Sequence, residues 1–575
     1  MVDHIVERLA AVGVDHIFGV DGANIEDLYD AAHFQPEITA VLAKHEFSAA
    51  TMADGYSRGG AGLGVVAATS GGGALNLIAG LGESLTSRVP VLALVGQTAT
   101  TMDGRGSFQD TSGRNGSLDA EAVFSAVSVS CERVLTPGDI VAALSRAIAA
   151  ARTGGPAVLL LPKDIQQGYL EESTHCSGPN GQELRRIGNP QPIVGILRNA
   201  HGPVTIIVGE QVARDNARAE LEQLRAALRA RVATVPDAKD VAGTPGFGSS
   251  FALGVSGVMG HPGVAEAAAA SAVCLVVGTR LSVTARTGLD DVLSTVRTVS
   301  IGSAPPYLPC THVHTDDLRG SLRMLTEALS GLRRPTSRRV PDQVRRTELT
   351  PPSCSGTGVR YRDAMAVLDG TLPDGTDIVV DAGNTGAAAI HYLPVRRDGK
   401  FAVALGMGGM GYSFGAGIGM AFGRANSGRP GGRTVVIAGD GAFFMHGMEV
   451  HTAVHYGLPV TFVLLNNNAH AMCVTREQLF YDDLYSYNRF RPSRLGAGLA
   501  AMFPGLTSVD VADRNEFAAA VRAALDVDGP AVISVECSAD EIPPFAPFLT
   551  RSAKIDAIDE SSTLKEKRAD VAASA

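Results

Sequence analysis

The chain has 575 residues, 45% of them apolar, and 66 glycines; at roughly 150 residues per domain that is enough for three or four domains with large cores. Lys and Arg number 49 against 59 Asp and Glu, a net charge of −10, so no basic field exists to hold a polyanion, and a nucleic-acid partner is excluded. Seven cysteines (131, 176, 274, 310, 354, 473 and 537), odd in number and nowhere spaced as C-x-x-C, argue against a disulfide framework or thiolate zinc site and for a reducing, cytoplasmic setting.

Residues 1–20 carry Asp3, Glu7, Arg8 and Asp15 in an amphipathic pattern, without the uninterrupted apolar core of a signal peptide. Helical patterns then alternate with short apolar runs at 14–20, 65–69, 89–95 and 157–162, which predicts a first α/β domain over 1–166 with buried parallel strands. A turn-rich stretch at 167–195 reads as a linker, as its glycines and prolines require. Apolar runs at 204–208 and 272–277 around a helical pattern at 216–229 predict a second α/β domain over 196–332, again from the alternation of strand and helix periods. A second linker, 333–358, holds Pro335, Pro341, Pro351 and Pro352 among charges. The third domain spans 359–548, with strands expected at 378–381, 435–438, 460–466 and 531–535. A hydrophilic tail without aromatics, 549–575, reads as a loose arm or lid. The fold class is therefore α/β, three doubly wound domains with parallel sheets.

One stretch imitates a membrane span: 402–423 has no charged residue, but eight of its 22 residues are glycine. Glycine costs a helix about 1 kcal/mol against alanine, so a buried turn and helix packed closely against a neighbour is expected, and no membrane partner.

The most informative segment is Gly439-Asp440-Gly441 at the end of one expected strand, followed by Asn467 at the end of the next, 27 residues after Asp440. Ligands of open parallel sheets sit beyond strand carboxyl ends, where a Gly-Asp-Gly turn leaves N–H groups free for phosphate. Asp440 and an Asn467 carbonyl are hard oxygen donors suited to a magnesium-type cation completed by water and phosphate. A purely local alternative stands beside this: Asp440 caps a helix covering 445–456 and the three asparagines 466–468 make a turn.

The Gly-Asp-Gly and Asn-Asn spacing resembles the signature of thiamine diphosphate enzymes, and Glu449, Leu458-Pro459-Val460 and Met472 fit the same pattern. The resemblance recurs elsewhere. Residues 42–58, with Lys44-His45-Glu46-Phe47, look like the helix start that carries the family's cofactor-activating glutamate, here Glu46. Thr69-Ser70-Gly71-Gly72-Gly73-Ala74-Leu75-Asn76 resembles a cofactor loop in which proline is usual at the place of Gly72. Gly106-Ser107-Phe108-Gln109-Asp110 resembles a segment of acetohydroxyacid synthases, also called acetolactate synthases. Gly406-Met407-Gly408-Gly409-Met410-Gly411 looks like the segment that wedges an apolar side chain between the cofactor's two rings.

What the resemblance implies is specific. Thiamine diphosphate and Mg2+ are the cofactors, with Asp440, Asn467 and Ala469 at the metal and Gly22, Thr69, Asn76, Gly408, Met410, Gly439, Gly441 and Met472 at the organic cofactor. Glu46, Gln109 and Phe108 are the catalytic candidates. Glu46 shares a proton with the pyrimidine ring, its pKa raised by an apolar cleft; the activated thiazolium adds a 2-oxo acid and serves as the electron sink for decarboxylation. In this family glutamate and metal anchor meet across a subunit interface, which implies a homodimer or homotetramer. The segment Gly278-Thr279-Arg280, preceded by Gly260-His261-Pro262-Gly263, is similar to a flavin-binding middle domain and implies FAD held by Arg280 and His261. The alternative is an α/β core that has lost its nucleotide.

The departures bear on substrate. Acetohydroxyacid synthases carry a tryptophan shortly after the Gly-Met that follows the asparagine pair; this chain has no Trp, Arg476 stands there, and Ala471 replaces the glycine before Met472. A guanidinium fork suits a polar acceptor, and His470 and His45 are candidate proton relays or structural histidines. The expected function is decarboxylation of pyruvate or a similar 2-oxo acid with ligation to a carbonyl acceptor, in the manner of acetolactate synthase. The rivals are a decarboxylase of the benzoylformate type, a pyruvate oxidase, and a non-catalytic binding paralogue.

Overall fold

The computed structural model describes residues 1–170, 185–242, 252–331, 347–424, 426–429 and 431–553. Much of both expected linkers and the tail from 554 onward lie outside the described residues.

Three six-stranded sheets, parallel throughout, follow one another along the chain. The first contains β1 (His16–Val20), β2 (Thr39–Leu42), β3 (Gly64–Ala68), β4 (Val91–Gln97), β5 (Ser130–Arg133) and β6 (Pro156–Pro162), in the order β2-β1-β3-β4-β6-β5. The second contains β7 (Val204–Val208), β8 (Arg231–Thr234), β9 (Ala252–Val255), β10 (Val273–Val277), β11 (Thr298–Gly302) and β12 (Thr311–His314), in the order β12-β11-β10-β7-β8-β9. The third contains β13 (Asp377–Val380), β14 (Phe401–Val403), β15 (Thr434–Gly439), β16 (Val460–Asn466), β17 (Thr507–Val511) and β18 (Ala531–Glu536), ordered β14-β13-β15-β16-β18-β17. Sheets one and three thus share one topology and the second differs.

The central strands are unbroken apolar runs because helices cover both faces of a parallel sheet; β3, β4 and β15 are buried almost end to end. Register is set within those runs, with Ile17 beside Val65 and Val463 beside Ile533. The helical pattern expected at 216–229 is a helix Arg218–Leu228, bounded by Asn216 and Arg229, both at φ 49°. That left-handed conformation cannot continue a right-handed helix.

The glycine-rich stretch 402–423 becomes β14, a turn, and the helix Tyr412–Phe422, which crosses the first-domain helix Glu46–Arg58. A Cβ on Gly55 would lie 2.0 Å from the Ala416 carbonyl oxygen, and one on Gly419 would lie 1.9 Å from that of Met52. Backbone therefore meets backbone, which only glycine permits. Around the crossing, Ala49, Met52 and Ala53 share one core with Phe414, Ile418, Val436 and Phe462, so the first and third sheets are fused through a common apolar layer. Among the described residues no helix is long and apolar enough to cross a membrane.

Candidate active site

In sheets one and three the strand order reverses between the first and third strand of each, and such switch points open a crevice beyond the carboxyl ends. In the third domain that crevice lies past β13 and β15, at Asp381 and Asp440. Asp440 begins the helix Asp440–His446 and is fully buried. Its carboxylate accepts the amide of Asn467 at 3.4 Å and that of Ala469 at 3.1 Å. Burial pushes its carboxyl up to about 6, against the backbone hydrogen bonds that favour the ion. The Asn467 side-chain nitrogen donates to the Tyr361 hydroxyl at 3.2 Å, while its Oδ1 is buried without a hydrogen-bond partner among the described residues. An orphaned amide oxygen costs on the order of 1–3 kcal/mol. A divalent cation, which takes oxygen ligands, satisfies that oxygen and stabilises the buried carboxylate together, so the donor set fits one. The bridge between Ala469 and Arg489 is closed by the amides of His470 and Phe490 with the carbonyls of Asn488 and Asn468; its bonds do not draw on the Ala469 carbonyl.

The turn before the helix Tyr412–Phe422 is held at both ends. Glu83, on the helix Ile78–Thr86, accepts the amides of Gly406, Met407 and Gly408 at 3.3, 2.6 and 3.3 Å. Asp381 accepts those of Gly411 and Ser413, each at 3.0 Å. Both carboxylates are buried. Gly408 and Gly411 have φ of 66° and 89°, which L side chains rarely adopt. Gly408 is exposed, so its backbone is open to a ligand. Met410 and His470 converge on Gly441, where a Cβ would stand 3.3 Å from Met410 Cε and 2.5 Å from His470 Cδ2. Gly439 is the residue just before Asp440, at the end of β15.

The first-domain cluster gathers beyond β1 and β3. Glu46 starts its helix, and its Oε2 accepts from the Asn76 side chain at 2.9 Å. A Cβ on Gly22 would lie 2.8 Å from the Thr69 Cβ, and one on Gly71 would lie 2.8 Å from the Gln109 Cγ. Gln109, itself at φ 61°, has its carbonyl oxygen 3.4 Å from both the Asn24 side-chain nitrogen and Ser70 Oγ. Gly22, Thr69, Asn76, Gln109 and Glu46 thus stand at one sheet end, while Phe108 projects outward, 79% exposed. Glu449 of the third domain accepts the amides of Lys44 and His45 at 2.8 and 3.2 Å, fixing the approach to Glu46.

His45 Nδ1 accepts from the Phe47 amide at 3.1 Å, capping the helix, so only its Nε2 is left to donate. His446 stands 5.0 Å from it, ring to ring, and burial followed by the field of His45 pushes it down to about 4. Met472 is half-buried at the start of the helix Ala471–Phe480, and Arg476 is exposed one turn on. His470 packs edge-on against Phe490 at 4.8 Å. Glu83, Asp381, Tyr361 and His446 were not foreseen; only Asp381 had a signal, an acid expected at a strand end.

His261 is buried, its Nδ1 accepts from the Val255 amide at 3.0 Å, and its ring stacks on His391 of the third domain at 4.5 Å. It therefore stands at the junction of the second and third domains. Arg280 is exposed, with its guanidinium 4.0 Å over the Tyr307 ring.

The fold and site define an α/β enzyme with polar, backbone-rich clusters at the carboxyl ends of its first and third sheets. Three family models cover most of the chain: the N-terminal TPP binding domain of thiamine pyrophosphate enzymes matches residues 1–116, their central domain 191–329, and their C-terminal TPP binding domain 381–535. The chain belongs to the thiamine pyrophosphate enzyme family and is a thiamine diphosphate-dependent enzyme of the carboligase and decarboxylase class. It is similar to "Probable acetolactate synthase large subunit" of Methanocaldococcus jannaschii, 27% identical over 501 residues, covering 83% of this chain and 82% of that protein. It is also similar to acetolactate synthase of Arthrospira platensis, 26% identical over 565 residues, covering 93% and 94%. The structure of benzoylformate decarboxylase from Polynucleobacter necessarius matches with TM-score 0.78 at 19% identity, covering 94% of this chain and 99% of that one, a likeness of fold.

Proposed function

We propose that this enzyme decarboxylates pyruvate or a similar small 2-oxo acid and ligates the acyl unit to a carbonyl acceptor. The observation that carries the reading is Asp440, buried and raised, beside the orphaned Oδ1 of Asn467. With the Ala469 carbonyl they would hold Mg2+ and through it a diphosphate. Thiamine diphosphate, when bound, supplies the carbanion chemistry and the electron sink.

This chain's residues supply position and proton handling. Glu46, oriented by Asn76, is the group that would exchange a proton with the pyrimidine ring nitrogen. The Met410 side chain would separate the cofactor's rings, and the exposed Gly408 carbonyl would accept from the pyrimidine amine. Thr69, Gly22, Gly439, Gly441 and Met472 would line the remaining contacts, and Gln109 would face the substrate with Phe108 above it. Arg476, exposed near the metal turn, would receive a polar acceptor through its forked donors.

A second copy of the chain completes the site in this reading. Phe444 and Met445, on the helix that Asp440 begins, are 55% and 49% exposed, and Phe108 rims the other cluster. Apolar side chains gathered at a polar site suit burial by a partner, and a twofold homodimer is the smallest assembly that provides it, with a tetramer the next. The cytoplasm is the compartment we assign to it.

Product analysis tests the reaction. Pyruvate with a carbonyl acceptor, thiamine diphosphate and Mg2+ is expected to yield a new carbon–carbon bond, detected by mass spectrometry. Free aldehyde alone would make the enzyme a simple decarboxylase, and oxygen-dependent acetate or acetyl phosphate would make it an oxidase.

A further inference from the structure

We infer that the second domain of this chain holds no flavin or other dinucleotide, although its sheet has the strand order that suits one. Numbered within the domain, β12-β11-β10-β7-β8-β9 is 6-5-4-1-2-3, the doubly wound order whose crevice opens where β7 and β10 part. A pyrophosphate there needs a gap lined by glycine backbone, the N-terminus of a well-formed helix, and an absence of fixed negative charge.

The gap is closed. A Cβ on Gly209, after β7, would lie 2.2 Å from the Thr279 Cβ, and one on Gly278, after β10, would lie 2.9 Å from the Gln211 Cβ. A Cβ on Gly302, the last residue of β11, would lie 3.2 Å from the Gly278 Cα. The turns of three neighbouring strands therefore touch one another. Gln211 seals them: buried, it donates from Nε2 to the Thr315 carbonyl and Asp215, both at 3.1 Å, and accepts from the Ser303 amide at 2.7 Å. Both N–H donors of its amide are committed to the protein.

The helix is lacking too. The first one after β7 is a single turn, Gln211–Arg214, and Asn216 at φ 49° breaks the chain before Arg218–Leu228 begins. One turn carries little of a helix dipole. An acidic residue also stands at this turn, Glu210 following Gly209 directly, with Arg214 of the next turn as its opposite charge. Arg280, the residue suggested for flavin, is exposed and lays its guanidinium over the ring of Tyr307, whose amide donates to the Arg280 carbonyl at 2.8 Å and whose carbonyl accepts from Arg286 at 2.8 Å.

The test uses the purified full-length protein. Its visible spectrum and the supernatant after heat denaturation are expected to contain no flavin, and titration into FAD is expected to leave flavin fluorescence unquenched. Flavin released at about one per chain, or saturable quenching, would overturn the inference. Both readouts are independent of turnover, so an inactive preparation, which would count against the proposed reaction, leaves this outcome legible.

Discussion

The Oε2 atom of Glu83 stands 2.6 Å from the amide nitrogen of Met407, joining a first-domain helix to the third-domain turn that carries Met410. Burial raises the Glu83 carboxyl, but Arg58, Ser87 and the turn amides outweigh it, so the group lies below the usual carboxylate range and stays ionised. Asp381 grips the other end of the same turn through Gly411 and Ser413. Two buried carboxylates from two domains thus shape the segment that would meet the cofactor.

Glu83→Gln keeps the shape but replaces one acceptor oxygen by a donor facing amide N–H groups, a loss of about 1–3 kcal/mol. Hydrogen exchange of the apoprotein should speed up at residues 406–408 and hold at 411–413, and Asp381→Asn should do the reverse. Thiamine diphosphate affinity should fall about tenfold in each. Unchanged exchange at both ends would show that the clamp is idle.

Gly419→Ala places a methyl 1.9 Å from the Met52 carbonyl oxygen at the crossing of Glu46–Arg58 with Tyr412–Phe422. Overpacking against backbone predicts a loss of about 1–3 kcal/mol. Gly370→Ala, on the helix Tyr361–Thr371 with nothing within 4 Å, should instead stabilise by about 0.5–1 kcal/mol. Denaturant midpoints that shift the same way for both would refute the packing argument.

His446 couples stability to pH. Half-buried beside His45, it titrates at about 4 in the folded protein against an ordinary 6.5. Between those values the unfolded chain binds the proton and the folded chain does not, so stability is present above about 6.5 and is lost as pH falls toward 4. Urea midpoints of His446→Gln across this window should vary less with pH than those of the wild type. Parallel profiles would assign the acid sensitivity elsewhere.

Glu46→Gln should retain cofactor binding while turnover falls by about 10²- to 10⁴-fold, the usual worth of a positioned acid or base. Asn76 would still find an oxygen to donate to, so the helix start should be unmoved. Wild-type turnover in the variant would remove Glu46 from the chemistry.

The central strands were legible because burial on both faces writes an uninterrupted apolar run, as in β7 and β16. Strands such as β5, Ser-Cys-Glu-Arg, and the half-exposed β2 and β17 were not read, because sheet edges carry mixed polarity without that run. Glu46, Asp440 and Asn467 stood out because their motifs are local in sequence. Glu83 did not, since the amide it serves is 324 residues away. The commitment of a His261 ring nitrogen to the Val255 backbone was not legible either, since it leaves no trace in composition or spacing.

In the proposed reaction Asp440 and Asn467 anchor a diphosphate through a divalent cation. Calorimetric titration of apoprotein with thiamine diphosphate tests it most directly, with and without Mg2+, in the wild type and in Asp440→Ala. Saturable binding that requires Mg2+ and disappears in the variant is expected. Equal binding without the metal, or in Asp440→Ala, would contradict it.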